Sequence, residues 1–73
     1  MAHHVIAELV ANVWKVVVKE GDVVEPGDPV VILESMKMEI PVPAEVAGRI
    51  TEIAVNEGDV VTEGDLLAEI AES

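Results

Sequence analysis

One short segment of the chain could do chemistry, and its centre is a lysine between two methionines. Segment 34–39 reads Glu-Ser-Met-Lys-Met-Glu and contains the only cation between Lys19 and Arg49, together with both methionines other than the initiator. A primary amine can accept an acyl group, but it is protonated at neutral pH and must lose a proton first. The chemistry open to Lys37 is therefore acylation that another enzyme carries out.

The residue pattern alone leaves two interpretations of this segment. In a continuous strand alternate side chains share a face, so Met36 and Met38 would lie opposite Lys37 unless a turn intervenes. The simpler interpretation is a strand with an exposed lysine and with methionines that fill irregular gaps in the core. The alternative, a functional lysine, needs more support than a motif this short provides.

No other group of residues predicts a reactive site. The chain has no Cys and no Tyr, and its two histidines, His3 and His4, adjoin the amino terminus. Chain ends are usually frayed, so we expect these histidines to be disordered or merely polar instead of binding a metal. Carboxylates such as Glu8 and Glu45 are spread along the chain, as on a solvated face. We therefore expect no catalytic site and no metal site.

The charge and the lack of long apolar runs restrict the partners. Fifteen acidic and four basic residues give a net charge of −11, which repels phosphate backbones and acidic membrane surfaces. No apolar run is long enough to span a membrane, and the first ten residues lack a signal-peptide pattern. We expect a cytoplasmic monomer that binds neither nucleic acid nor membrane.

Length and composition predict one small all-β domain over residues 1–73. Chains usually need well over ~150 residues for a second core. Valine and isoleucine are abundant, and their branched side chains favour strands over helices. The core must be aliphatic, because Trp14 is the only aromatic residue. A packing role on the sheet is expected for Trp14.

An internal repeat organises the chain. A shift of 37 positions aligns segment 20–24, Glu-Gly-Asp-Val-Val, with the identical segment 57–61, and Gly27-Asp28 with Gly64-Asp65. Two copies are too few for a solenoid. We therefore expect halves of about 5–36 and 42–73 that interlock about a pseudo-twofold axis.

The Gly-Asp steps predict turns, because glycine adopts positive φ easily and aspartate bonds to nearby backbone. Alternation of apolar and polar residues between the turns indicates strands. The predicted strands are 4–10, 13–18, 23–24, 30–35, 38–42, 47–55, 60–61 and 66–71.

Segment 34–40 resembles the acceptor motif of the biotinyl domain family, in which a central lysine between two methionines is modified. Segment 18–24 with Gly27-Asp28 resembles the family's upstream half, and segments 47–50 and 55–59 resemble its downstream half, so the resemblance covers residues 5–71. One departure is segment 7–11, Ala-Glu-Leu-Val-Ala, where relatives usually have Ala-Pro-Met-Pro-Gly.

The resemblance implies an all-β fold, a flattened barrel or sandwich of two four-stranded antiparallel sheets with Met36 and Lys37 at a hairpin tip. It implies biotin in amide linkage to Lys37, attached by a biotin protein ligase that recognises Met36 and Met38. The flanking motif residues are Glu34, Ser35 and Glu39. The domain would then carry carboxyl groups between biotin carboxylase and carboxyltransferase partners, as a non-catalytic subunit.

Two alternatives remain. A lipoyl carrier, or a dual biotin and lipoyl carrier, shares the fold and differs mainly beside the lysine, where lipoyl domains usually have Asp before it and Ala after it. An unmodified interaction module of the same fold would leave Lys37 without a function.

Overall fold

The computed structural model describes all residues from Met1 to Ser73 and contains eight strands. No helix is present that could cross a membrane. The strands are β1 (Ala2–Ile6), β2 (Ala11–Val16), β3 (Val23–Val24), β4 (Pro29–Ser35), β5 (Met38–Pro43), β6 (Gly48–Ile53), β7 (Val60–Val61) and β8 (Leu66–Glu72).

All eight predicted strands are present, but the first two begin and end earlier than predicted. Strand β1 begins at Ala2 and ends at Ile6, and β2 ends at Val16. The stretch from 7 to 10 lies outside any strand, although its apolar residues had suggested one. The alternation of apolar and polar residues therefore located the strands but misplaced the ends of β1 and β2.

The strands form two antiparallel four-stranded sheets, and this confirms the predicted fold class. One sheet has the order β1-β8-β6-β3 and the other β5-β4-β2-β7. Under the 37-residue shift each strand of the first sheet corresponds to the strand at the same place in the second. The sequence repeat is thus a structural repeat, with one copy of each strand in each sheet.

The core lies between the sheets and is entirely aliphatic, as predicted. Fifteen hydrophobic residues are buried and no polar or charged residue is buried. Equivalent strands bury equivalent positions: β2 and β6 have the same alternation of buried and exposed residues. The largest fully buried side chains are those of Leu33, Ile50, Leu67, Ile70, Val13, Val24, Val30, Val31 and Val61.

Hydrogen bonds at the Gly-Asp turns tie the two halves together. The amide of Gly27 donates to the carbonyl of Ala44 at 2.8 Å, and the amide of Gly64 donates to the carbonyl of Ala7 at 2.9 Å. Gly27 has φ of +96°, which a residue with a side chain rarely adopts. Each turn of one half is therefore anchored on a strand or loop of the other half.

The aspartates complete these turns. The carboxylate of Asp28 accepts a hydrogen bond from the amide of Glu25 at 2.9 Å, while the amide of Asp28 donates to the carbonyl of Glu25 at 3.0 Å. Asp22, Asp59 and Asp65 bond in the same way to the residue three positions earlier. These acids therefore stabilise turns.

The amino-terminal histidines are ordered, so the prediction of a frayed end is wrong. Strand β1 pairs with β8 from Ala2 onward. His4 Nε2 lies 3.0 Å from Glu69 Oε2, and the hydroxyl of Thr51 donates to Glu69 Oε1 at 3.0 Å. His3 Nε2 lies 3.5 Å from Glu45. No group of three or more potential metal ligands exists in the chain.

Gly48 marks a close approach between β6 and β8. A Cβ atom at this position would overlap the carbonyl oxygen of Ala71 and would lie 2.8 Å from the side chain of Ile70. The equivalent position in the first half is Ala11, which carries a Cβ in a buried site. The first half therefore accommodates a Cβ at the position where the second half excludes one.

Gly48→Ala should destabilise the fold by about 1 to 3 kcal/mol or more, because the clash is with backbone and cannot be relieved by a side-chain rotation. Urea unfolding followed by circular dichroism measures the effect. Glu52→Ala, an exposed change on the same strand, serves as the control and should change the free energy of unfolding by less than about 0.5 kcal/mol. Equal stability of the two variants would contradict the close approach.

Glu69 should make stability depend on pH in the acid range. The hydrogen bond from Thr51, and then the contact with His4, lower the pKa of Glu69 below its ordinary value of 4.5. At higher pH the ionised carboxylate favours the folded state, and this contribution is lost as the pH falls through the lowered pKa.

The stability difference between the parent and Glu69→Gln should therefore be largest near neutral pH and shrink in acid. Urea titrations at a series of pH values measure it, with Glu25→Gln as the control, because the exposed carboxylate of Glu25 takes part in no hydrogen bond or salt bridge. A difference that grows on acidification would contradict the assignment.

Candidate functional site

The segment singled out in the sequence forms the tip of the hairpin between β4 and β5. These strands pair from Pro29 opposite Pro43 to Ser35 opposite Met38. Met36 and Lys37 remain as a two-residue loop with φ of 54° and 65°. Positive φ at both loop positions is the geometry of a type I′ turn, whose twist matches that of the flanking strands.

The turn is unusual because neither loop residue is glycine or asparagine. Met36 and Lys37 are the only non-glycine residues in the chain with positive φ. Each such residue costs on the order of 1 kcal/mol or more and persists only where the surrounding structure imposes it. No local residue signalled this turn, and only the resemblance to a known motif implied it.

Strand β4 imposes the geometry of the turn. It lies inside its sheet, between β5 and β2, and its residues Val31 and Leu33 are fully buried. A slip of register by one residue would turn these side chains out of the core. The buried face of β4 therefore fixes which two residues form the loop.

The side chains at the tip are exposed. Met36 is 91% exposed and Met38 is 65% exposed, so the interpretation that they fill gaps in the core is wrong. The side chain of Lys37 is also exposed and takes part in no hydrogen bond or salt bridge. A free amine between two exposed thioethers can be reached by another protein without any unfolding of the hairpin.

The flanking residues predicted from the motif lie on the same hairpin. Glu34 is directly opposite Glu39, and Ser35 is opposite Met38. Like charges at directly opposed positions are unfavourable, and neither glutamate has a cation partner within the chain. The base of the tip therefore presents two uncompensated carboxylates.

None of the three surface grooves lies at the tip. The largest groove, of about 780 Å³, lies between the edge strands β1 and β5 and is lined by residues that include Ile40 and Val42 but none from 34–39. The other two grooves are bounded by residues of the Gly-Asp turns. Any enzyme that acts on Lys37 must supply its own pocket.

The amine fits the cofactor that the motif predicts. Biotin has a carboxylic acid that forms an amide with a primary amine. This linkage needs a nitrogen that is accessible and is not engaged in a hydrogen bond or salt bridge. Lys37 satisfies both conditions, because it lies at the loop and makes no polar contact. The remaining lysines, Lys15 and Lys19, lie in a strand and beside a turn.

Comparison with known proteins agrees with this geometry. The family described as "Biotin-requiring enzyme" matches residues 4–70, which is most of the chain. Biotin is the cofactor that the acceptor motif predicts. The "Biotinylated protein TB7.3" of Mycobacterium tuberculosis is 67% identical over 42 residues, which cover 58% of this chain and 59% of that protein. The chain thus spans about three fifths of the length of this curated relative.

Solved structures match over nearly the whole chain. The urea carboxylase of Kluyveromyces lactis contains a region with a TM-score of 0.92 and 41% identity, covering 97% of this chain and 6% of that chain. The lipoyl domain of the 2-oxoglutarate dehydrogenase complex from Azotobacter vinelandii has a TM-score of 0.75 and 30% identity, covering 93% of this chain and 96% of that domain. From the match over residues 4–70, the shared fold and the acceptor motif, the chain belongs to the biotin and lipoyl domain family.

Proposed function

We propose that this chain is a biotin carboxyl carrier domain that a biotin protein ligase modifies on Lys37. The observation that carries the proposal is the position of Lys37, exposed and unpaired in a two-residue turn between Met36 and Met38. Its partners are the ligase and, after modification, biotin carboxylase and carboxyltransferase subunits. Residues 1–73 act as a single non-catalytic domain, with repeat halves of about 5–36 and 42–73.

The turn orients the amine for acylation. A ligase must hold the nitrogen in line with the activated acyl carbon and must remove a proton, and correct orientation alone can lower a barrier by up to ~7 to 11 kcal/mol. The left-handed backbone at Met36 and Lys37 fixes the direction in which the lysine leaves the hairpin. This chain therefore contributes placement, and its partner contributes the base and the activated acid.

The hairpin also limits where the modified side chain can travel. When bound, biotin supplies the group that takes up and releases a carboxyl unit. The lysine side chain gives reach, and the paired strands β4 and β5 keep its base fixed on the domain. Tethering replaces a search through solution by a local one and raises effective concentration toward the millimolar range.

A lipoyl carrier is the second candidate, because the lipoyl domain from Azotobacter vinelandii shares the fold at a TM-score of 0.75. The residues beside the lysine distinguish the two. Methionine stands on both sides of Lys37, and this favours biotin. The cytoplasmic location and the monomeric state stay predictions from the sequence.

Lys37→Arg should abolish labelling and leave the fold intact. A guanidinium stays protonated and cannot accept an acyl group, and the exposed side chain makes no contact that folding requires. Streptavidin blotting and intact mass after incubation with ligase measure labelling, with circular dichroism as the fold control. Biotin incorporated into this variant would place the acceptor elsewhere.

A parallel incubation of the parent with a lipoyl ligase tests the second candidate, which predicts an added lipoyl group.

Met36→Ala and Met38→Ala should each slow labelling by about tenfold. This factor corresponds to a loss of about 1.4 kcal/mol in the free energy of interaction with the ligase. Stability should change little, because both side chains are exposed. Val23→Ala is a matched control, since Val23 is 66% exposed but lies in β3 of the other sheet. Labelling of all three variants at the parental rate would remove the methionines from recognition.

A further inference from the structure

The outer faces of the two sheets differ at equivalent positions of the repeat. In the sheet that lacks Lys37, one row across the strands contains His4, Glu69 and Glu52, with Thr51 in the bulge beside it. Thr51 and His4 both bond to Glu69. This row is therefore polar, and three of its four side chains bond to one another, whereas Glu52 has no partner.

The same row in the sheet that carries Lys37 is largely apolar. It contains Pro41, Ile32 and Lys15, with Trp14 in the equivalent bulge. Trp14, the only aromatic residue in the chain, is 42% exposed, and Pro41 is also exposed. Trp14, Ile32 and Pro41 together are called the tryptophan patch below.

Lys15 lies over the indole of Trp14, with Nζ 5.5 Å from the ring centroid. This distance is within the range of a cation–π contact. Ile32 points to the outer face, because its neighbours Val31 and Leu33 are fully buried and alternate with it. The tryptophan patch therefore lies on one surface of the sheet.

The patch is continuous with the hairpin tip on that surface. Glu34 and Glu39 lie on the same face as Ile32 and Pro41, two residues nearer the turn, a separation of about 7 Å along the strands. The order from the tip downward is thus the acceptor turn, the uncompensated carboxylate pair, and then the tryptophan patch. A protein that encloses Lys37 is within reach of all three.

We propose that the tryptophan patch is the docking surface for the biotin protein ligase, which would present an apolar site edged by basic residues. The inference rests on the proposed function and adds the surface that holds the ligase. Position favours this occupant, because the ligase must reach the unmodified nitrogen of Lys37 and the patch is continuous with that turn, whereas later partners act at the far end of the modified side chain. The carboxylate pair beside the patch has no cation partner within the chain and would attract basic residues at the edge of the ligase site. A second copy of the chain is disfavoured, since its net charge of −11 would oppose an equal charge.

The test incubates the chain with a biotin protein ligase and measures initial rates of labelling over a range of chain concentrations. Trp14→Thr, which installs the residue type found at the equivalent position 51, should raise KM about tenfold and change kcat by less than about twofold. Pro41→Thr should raise KM in the same direction without touching the core. Glu52→Thr, on the equivalent row of the other sheet, is the matched control and should leave both constants unchanged.

Competition separates docking from acylation. The Lys37→Arg chain should inhibit labelling of the parent competitively, because it keeps the surface and lacks the acceptor. Adding Trp14→Thr to that chain should raise its inhibition constant about tenfold. The double variant Glu34→Gln and Glu39→Gln should raise KM and weaken its dependence on salt, because two charges that attract the ligase are gone.

The proposal is overturned if Trp14→Thr and Pro41→Thr, both shown to be folded by circular dichroism, keep KM within twofold of the parent. It is also overturned if Glu52→Thr raises KM as much as they do. If Trp14→Thr does not fold, Pro41→Thr and the carboxylate double variant decide. Failure of the ligase to label the parent at all would instead contradict the proposed function.

Discussion

The packing of β4 in the middle of its sheet is the constraint on which the two-residue loop at Met36 and Lys37 depends. Both residues hold positive φ without the freedom of glycine, at a cost of order 1 kcal/mol or more each. The loop persists because β4 is fixed by its buried face in the middle of a sheet. Packing between the sheets thus offsets the backbone strain at the tip, and the strained loop orients the side chain that carries the acceptor amine.

Two interlocked halves support the hairpin in this chain of 73 residues. Each Gly-Asp turn bonds to the opposite half, so the turns link the two halves at four places. The chain has no disulfide and no buried polar or charged side chain. An aliphatic core and reciprocal turns are what stabilise the base beneath the exposed tip.

The repeat made most of the fold predictable from the sequence. Identical Gly-Asp steps fixed the turns, and alternation fixed eight strands, because both follow from local backbone preferences. Strand ends were less predictable: the apolar run around Leu9 suggested a strand, yet the chain there forms the loop before β2. His4 was expected in a frayed end and instead pairs with Glu69, a contact across 65 residues that no local pattern reveals.

The sequence singled out Lys37 as the candidate acceptor but did not reveal the geometry of its turn. Lys37 stood out by its isolation among acids and by its two methionines. The left-handed turn at Met36 and Lys37 could not be predicted from these residues, because methionine and lysine have no intrinsic preference for positive φ. The outward position of Trp14 was equally hidden, since a bulge between Val13 and Lys15 breaks the alternation from which its face would be inferred.

Site mapping of the acylated lysine tests the central claim most directly. The parent chain would be incubated with ligase and biotin, digested, and fragmented by mass spectrometry to locate the modification among Lys15, Lys19 and Lys37. The account predicts one biotinyl group per chain, on Lys37 alone, because only that amine projects from a two-residue turn. Modification shared among the three lysines, or found on either of the others, would contradict it.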